Sequence, residues 1–339
     1  MFTKLLAIIR NTFIESLRQP IMVVLIIAGS LAVVFSIMST ANTLDNDNVL
    51  FIQIGLSVLL LVGIIMAAFT ATNVLAIEIE QKTVLTVVSK PIPRPLFVLG
   101  KYIGVSAALT VAMCPVAMVF LLCYQHGVMA TASHTYNGPV LTFGIIAFAA
   151  GLFGAIATNY LYRWNFVSTC VFAIAILETL AWVLTLFLSK DWQFQSPAVE
   201  FSANEGLMLN VILGMLLLYE TLLLFCAIAI AVSTRLGRLM TIVITLVASV
   251  VIALNESVIG KAQRVDVTDA GFFEKLWYMF WALIHHTLPN LNFLWLADDL
   301  SVGASIPTSY VLTTSAYTGL FILAILSIAI ALFQNREVG

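Results

Sequence analysis

Residues 78–101 read EIEQKTVLTVVSKPIPRPLFVLGK. The chain on either side is almost unbroken hydrocarbon, yet Glu78, Glu80, Lys82, Lys90, Arg94 and Lys101 all fall within this one segment. A charged side chain at the centre of a bilayer costs about 3 kcal/mol on insertion scales, so the segment stands outside the lipid as a small polar element. It divides its apolar surroundings into separate spans, and the architecture follows from that division.

Working outward, the 339 residues are 61% hydrophobic and only 9% charged. A soluble domain carries roughly 25% charged residues, so a soluble domain is excluded and a bilayer is the solvent. A span needs about 20 apolar residues. Eight stretches qualify: 21–39, 51–77, 97–122, 139–161, 166–189, 207–232, 239–259 and 308–333. Only Arg163 and Trp164 and their neighbours separate 139–161 from 166–189, so these two form either full spans or a hairpin that stops short. The expected fold is an all-α polytopic membrane protein with about eight transmembrane helices (six to eight), in a single transmembrane domain covering 1–339. The apolar run at 21–38 is longer than the core of a cleaved signal peptide, so it reads as a retained span.

Eight spans put both termini on one side. With the N-terminus inside, the inner segments hold 11 Lys and Arg against 4 acids, and the outer segments hold 4 against 11. The positive side faces the cytoplasm. The expectation is a multi-pass protein of the cytoplasmic (inner) membrane, with both termini and the 78–101 segment cytoplasmic.

Residues 2–18 place Phe2, Leu5, Leu6, Ile9, Phe13 and Leu17 at helical spacing, with Lys4, Arg10, Glu15 and Arg18 elsewhere. This predicts an amphipathic helix over 1–20 lying in the interface. In the 78–95 segment, Glu78 and Glu80 suit a helix N-terminus. Val84, Leu85, Val87 and Val88 supply an apolar face, and Pro91, Pro93 and Pro95 end it. A short capped helix that presents valines to the cytoplasm needs a partner to cover them. The outer segment 260–307 carries Phe272, Phe273, Trp277, Phe280, Trp281 and Trp295 beside Asp269, Glu274, Lys275, Asp298 and Asp299. That is an amphipathic aromatic stretch suited to the headgroup level.

In Glu78, Thr83, Pro91, Arg94, Gly100 and Lys101 the segment resembles the loop after the second span in permease subunits of ATP-binding-cassette (ABC) transporters of the type 2, exporter-like class. The turn from Ser233 to Arg238, the Leu288, Pro289, Asn290 approach to the last span, and the Phe333 to Glu337 ending are similar to that family as well. Lys82 stands where many members carry glycine, and most members have six spans. The resemblance implies a cytoplasmic coupling helix gripped by a separate ATPase, with Glu78, Glu80, Thr83, Val84, Val87, Pro91 and Arg94 as coupling residues. It also implies an interface helix flanking that ATPase and re-entrant helices on the outer side before the last span. Two permease subunits would pair, as homodimer or heterodimer, within the lipid bilayer. The function so implied is export of a substrate driven by ATP hydrolysis on the partner chain.

No catalytic constellation is present, and the chain reads as a non-enzymatic subunit without cofactor of its own. The Gly-Lys pairs at 100–101 and 260–261 lack the upstream glycine and following hydroxyl of a phosphate-binding loop, so ATP belongs to the partner. No nucleic-acid partner is expected. His285 and His286 are adjacent and point apart on a helix, which disfavours a shared metal. Cys114, Cys123, Cys170 and Cys226 lie in or at the ends of spans and read as small buried hydrophobes. Glu178 and Glu220 fall within spans. Each either contacts a translocation pathway, as polar group or proton site, or makes an interhelical hydrogen bond. The interhelical bond is the plainer reading for Glu178, and neither is preferred for Glu220. Two other functions are compatible with the chain: a proton-coupled secondary transporter, and an ABC-driven component that transmits force to an outer partner.

Overall fold

The structure, a computed structural model, describes residues 2–40, 47–80, 93–129, 135–202, 206–254 and 271–334. These are almost wholly helical, and they contain no strand, only an isolated bridge between Leu188 and Phe194. In lipid every backbone N–H and C=O must be satisfied within its own segment, and helices achieve this.

The helices are α1 (Phe2–Leu17), α2 (Pro20–Thr40), α3 (Asp47–Glu80), α4 (Arg94–His126), α5 (Gly138–Tyr162) and α6 (Phe166–Thr185). They continue with the short α7 (Pro197–Ser202), α8 (Leu207–Ser233), α9 (Arg238–Leu254), α10 (Phe272–Thr287), the short α11 (Ala297–Ser301) and α12 (Thr308–Gln334). Seven of them, α2, α3, α4, α5, α6, α8 and α12, are long and apolar enough to cross a membrane. The eighth expected stretch is represented by α9, which is apolar and 17 residues long over its described part. The uncertain pair resolves as two long helices, α5 and α6, packed along each other across residues 163–165. Gly151 lets them approach: a Cβ there would lie 2.7 Å from the Ile174 side chain and 3.0 Å from its backbone. Elsewhere in this helix, Gly144 faces Leu122 at 3.3 Å and Gly154 faces nothing within 4 Å.

Contacts between helix ends sort the bundle into two poles. At one pole the Val128 amide donates to Asn48, the Gln125 amide to the Thr185 carbonyl, and the Ile306 amide to Asn210. At the other, Asn73 donates to Gln19, and Arg94 reaches the last carbonyls of α12. α1 packs on the start of α4 at this second pole, so the two described chain ends share it.

The segment before the last span has two parts. α10 leaves Phe272, Phe273, Trp277 and Phe280 exposed. The following stretch is instead a plug: Leu291, Leu294, Leu296, Ala297 and Leu300 are buried, and α11 packs on the ends of α3 and α8 at the first pole. Gln53 of α3 donates to Asp298 and Ser301, and Gly214 makes room for Leu300, which a Cβ would meet at 2.5 Å.

Candidate functional site

The coupling residues read from the sequence divide between described and undescribed chain. Thr83, Val84, Val87 and Pro91 lie outside the described residues. Glu78 and Glu80 form the last turn of α3, because the second-span helix runs unbroken to residue 80. The start of a helix that their charges suggest is therefore not at residue 78. Pro93 and Pro95, read as an ending, flank the first residue of α4, where a missing N–H is tolerated and φ is preset.

At the pole where α3 ends and α4 begins, the described residues build a collar. α1 crosses the first turns of α4 at Gly100 and Gly104, a pair with the four-residue spacing that allows close helix packing. A Cβ on Gly100 would meet Ile8 at 2.7 Å, and one on Gly104 would meet Thr12 at 2.6 Å and the Ile9 carbonyl oxygen at 2.8 Å. The docked stripe of α1 is thus Leu5, Ile8, Thr12 and Ser16, with Thr12 and Ser16 fully buried. Phe2 and Leu6, from the expected apolar face, remain exposed. Between the two glycines, Lys101 is 2% exposed and its ammonium lies 3.8 Å from the Glu15 carboxylate of α1 and 5.5 Å from the Phe97 ring centre.

The same turn of α4 also holds the end of the last span. The Arg94 guanidinium donates to the carbonyls of Phe333 and Gln334, groups that a helix C-terminus leaves without intrahelical partners. Below it Phe97 stacks on Phe333 with ring centres 5.6 Å apart. Four parts of the chain therefore meet at this pole: α1, the end of α3, the start of α4 and the end of α12. Thr12, Ser16 and the Gly100/Gly104 pair were not picked out from the sequence. The glycine spacing was the available signal.

The two intramembrane acids behave in opposite ways. Glu220 of α8 accepts a 2.5 Å hydrogen bond from Ser315 of α12, so the interhelical bond is here. Glu178 of α6 is 1% exposed and neither of its carboxyl oxygens has a hydrogen-bond partner, which corrects the plainer reading of this residue. Asn210, near Glu220 by helical turns, instead caps the loop before α12 through the Ile306 amide.

Glu178 lines a cleft of about 860 Å³ whose walls are α2 and α5 and whose floor is α4 and α6. Ile27, Leu31, Val34 and Met38 come from α2, Ile145, Phe148 and Phe153 from α5, and Val119, Leu122 and Cys123 from α4. Ser30 lines it too, and its hydroxyl is buried without a partner. The described lining includes no Lys or Arg. Among the described residues no group of three His, Cys, Asp or Glu side chains converges as a metal site would require. Compared with known proteins, the chain matches no family model and no curated sequence.

Proposed function

We propose that this chain is the membrane-spanning permease subunit of an ABC exporter, driven by a separate ATPase that docks on residues 78–95. One observation carries the reading: the described residues on either side of a charged, proline-bounded stretch of sequence belong to a collar that ties α1, α3, α4 and α12 together at one pole. A force applied where α3 ends and α4 begins would reach four helices held at one pole. Moving the spans from 1:99 to 99:1 between two states requires a difference of about 5.5 kcal/mol, which a rigid connection can transmit. The excess of Lys and Arg on the segments at this pole is the reason for assigning it to the cytoplasm. Pairing of two such subunits, and export as the direction, come from the family resemblance.

The test is reconstitution of the chain with its ATPase in lipid vesicles. Val87→Asp combined with Arg94→Ala abolishes permease-stimulated ATP hydrolysis while the protein still inserts. Unchanged stimulation removes the coupling assignment.

A second reading rests on Glu178, a buried carboxyl without a hydrogen-bond partner beside a cleft. It makes the chain a proton-coupled transporter, with flux that follows a pH gradient in the absence of any ATPase and stops in Glu178→Gln.

A further inference from the structure

The α2/α5 cleft combines three features that rarely occur together in a bilayer. It is large enough for a drug-sized or single-chain molecule, since binding pockets commonly span roughly 300–1,000 Å³. Its walls are nearly all aliphatic or aromatic. Its polar groups include Glu178 and Ser30, both buried and both without hydrogen-bond partners. Such groups are costly to leave unsatisfied, and a carboxylate is costlier than a hydroxyl.

We propose that this cleft binds a lipophilic cation, an alkyl chain ending in a protonated amine, whose ammonium donates to Glu178 and Ser30. A carboxylate has only acceptors and an ammonium only donors, so the head group brings the donors that Glu178 and Ser30 lack. The other titratable groups on the lining, Cys123, His126 and Tyr136, bring no fixed positive charge to compete for the site. An anionic head group would meet the Glu178 carboxylate and find no Lys or Arg among the described lining residues. The tail has a route in: Leu31, Met38, Ile145 and Phe153 are exposed on the rims of α2 and α5. These two helices pack on α4 and α6 with almost no packing on each other, so the cleft opens sideways toward the bilayer. The inference rests on the exporter reading only in treating the bound amine as cargo; binding itself is independent of it.

The test uses the full chain in phosphatidylcholine nanodiscs, without ATPase, and measures saturable binding of radiolabelled dodecylamine and of dodecanol. Glu178→Gln weakens dodecylamine binding at least about tenfold and leaves dodecanol unchanged. Ala149→Trp, which fills the cleft from the α5 wall, removes both. If E178Q does not reach the membrane, Ser30→Ala carries the test by weakening the amine and sparing dodecanol. No saturable amine binding overturns the proposal. So does amine binding that none of these variants changes. Equal affinity for the two probes, both lost only in A149W, also overturns it and marks a groove for lipid tails. A chain that binds the amine yet stimulates no ATPase refutes the exporter reading alone. Full ATPase coupling without amine binding refutes this proposal alone.

Discussion

The collar at the α1/α4/α12 pole and the α2/α5 cleft lie in one bundle but are built on opposite terms. In the collar, small residues bring backbones together and charged groups have partners: Lys101 with Glu15, and Arg94 with the end of α12. In the cleft, bulky aliphatic side chains keep two helices apart, and a carboxyl is left without a hydrogen bond. Paired charges and contact without gaps give stiffness. A cleft with an unsatisfied group stores a readiness to bind. On the proposed reading, the first region transmits force and the second recognises cargo.

The contrast breaks most severely if the collar is pried open. Gly104→Leu drives a branched side chain into Thr12 and the Ile9 carbonyl, and is expected to cost about 3 kcal/mol through overpacking. The same change at Gly154, which faces open space, costs well under about 1 kcal/mol. Equilibrium unfolding in mixed micelles measures both; equal losses would mean that α1 is not seated on α4 in this way.

The cleft should respond in the opposite direction. Glu178→Leu removes a buried, unsatisfied carboxyl and is expected to stabilise the bundle by about 1–3 kcal/mol in the same assay, while eliminating amine binding. A destabilised variant would show that Glu178 has a structural partner after all.

The smallest effect is expected at Glu220. Its bond to Ser315 is an ordinary interhelical contact, worth about 0.6 kcal/mol in a membrane protein. Glu220→Gln and Ser315→Ala should each cost about that much, and the double variant little more than either alone. Additive losses would place the two side chains in separate environments.

Much of this was legible in the sequence. The apolar lengths predicted the spans, and the 78–101 charges predicted the break between α3 and α4. Rotation about each helix axis was not legible. Spans of nearly uniform hydrophobicity carry no moment to say which way Glu178 or Glu220 faces, and Ser315 lies on a helix remote in sequence. The α1 stripe was legible only in part for a related reason: Leu5 and Leu17 of the expected face are docked or buried, but Thr12 and Ser16 were not picked out. Leucine and phenylalanine marked the apolar face, whereas the docked face uses Thr12 and Ser16 because the partner offers glycines. Close approach selects for small side chains, and hydropathy is blind to size.

The central claim is that residues 78–95 face the cytoplasm and are gripped there. The direct measurement is labelling of Val87→Cys by a membrane-impermeant maleimide, in intact cells and in inside-out vesicles, against the parent protein. The account predicts labelling only in inside-out vesicles, and protection when the ATPase is bound. Labelling of intact cells would contradict it.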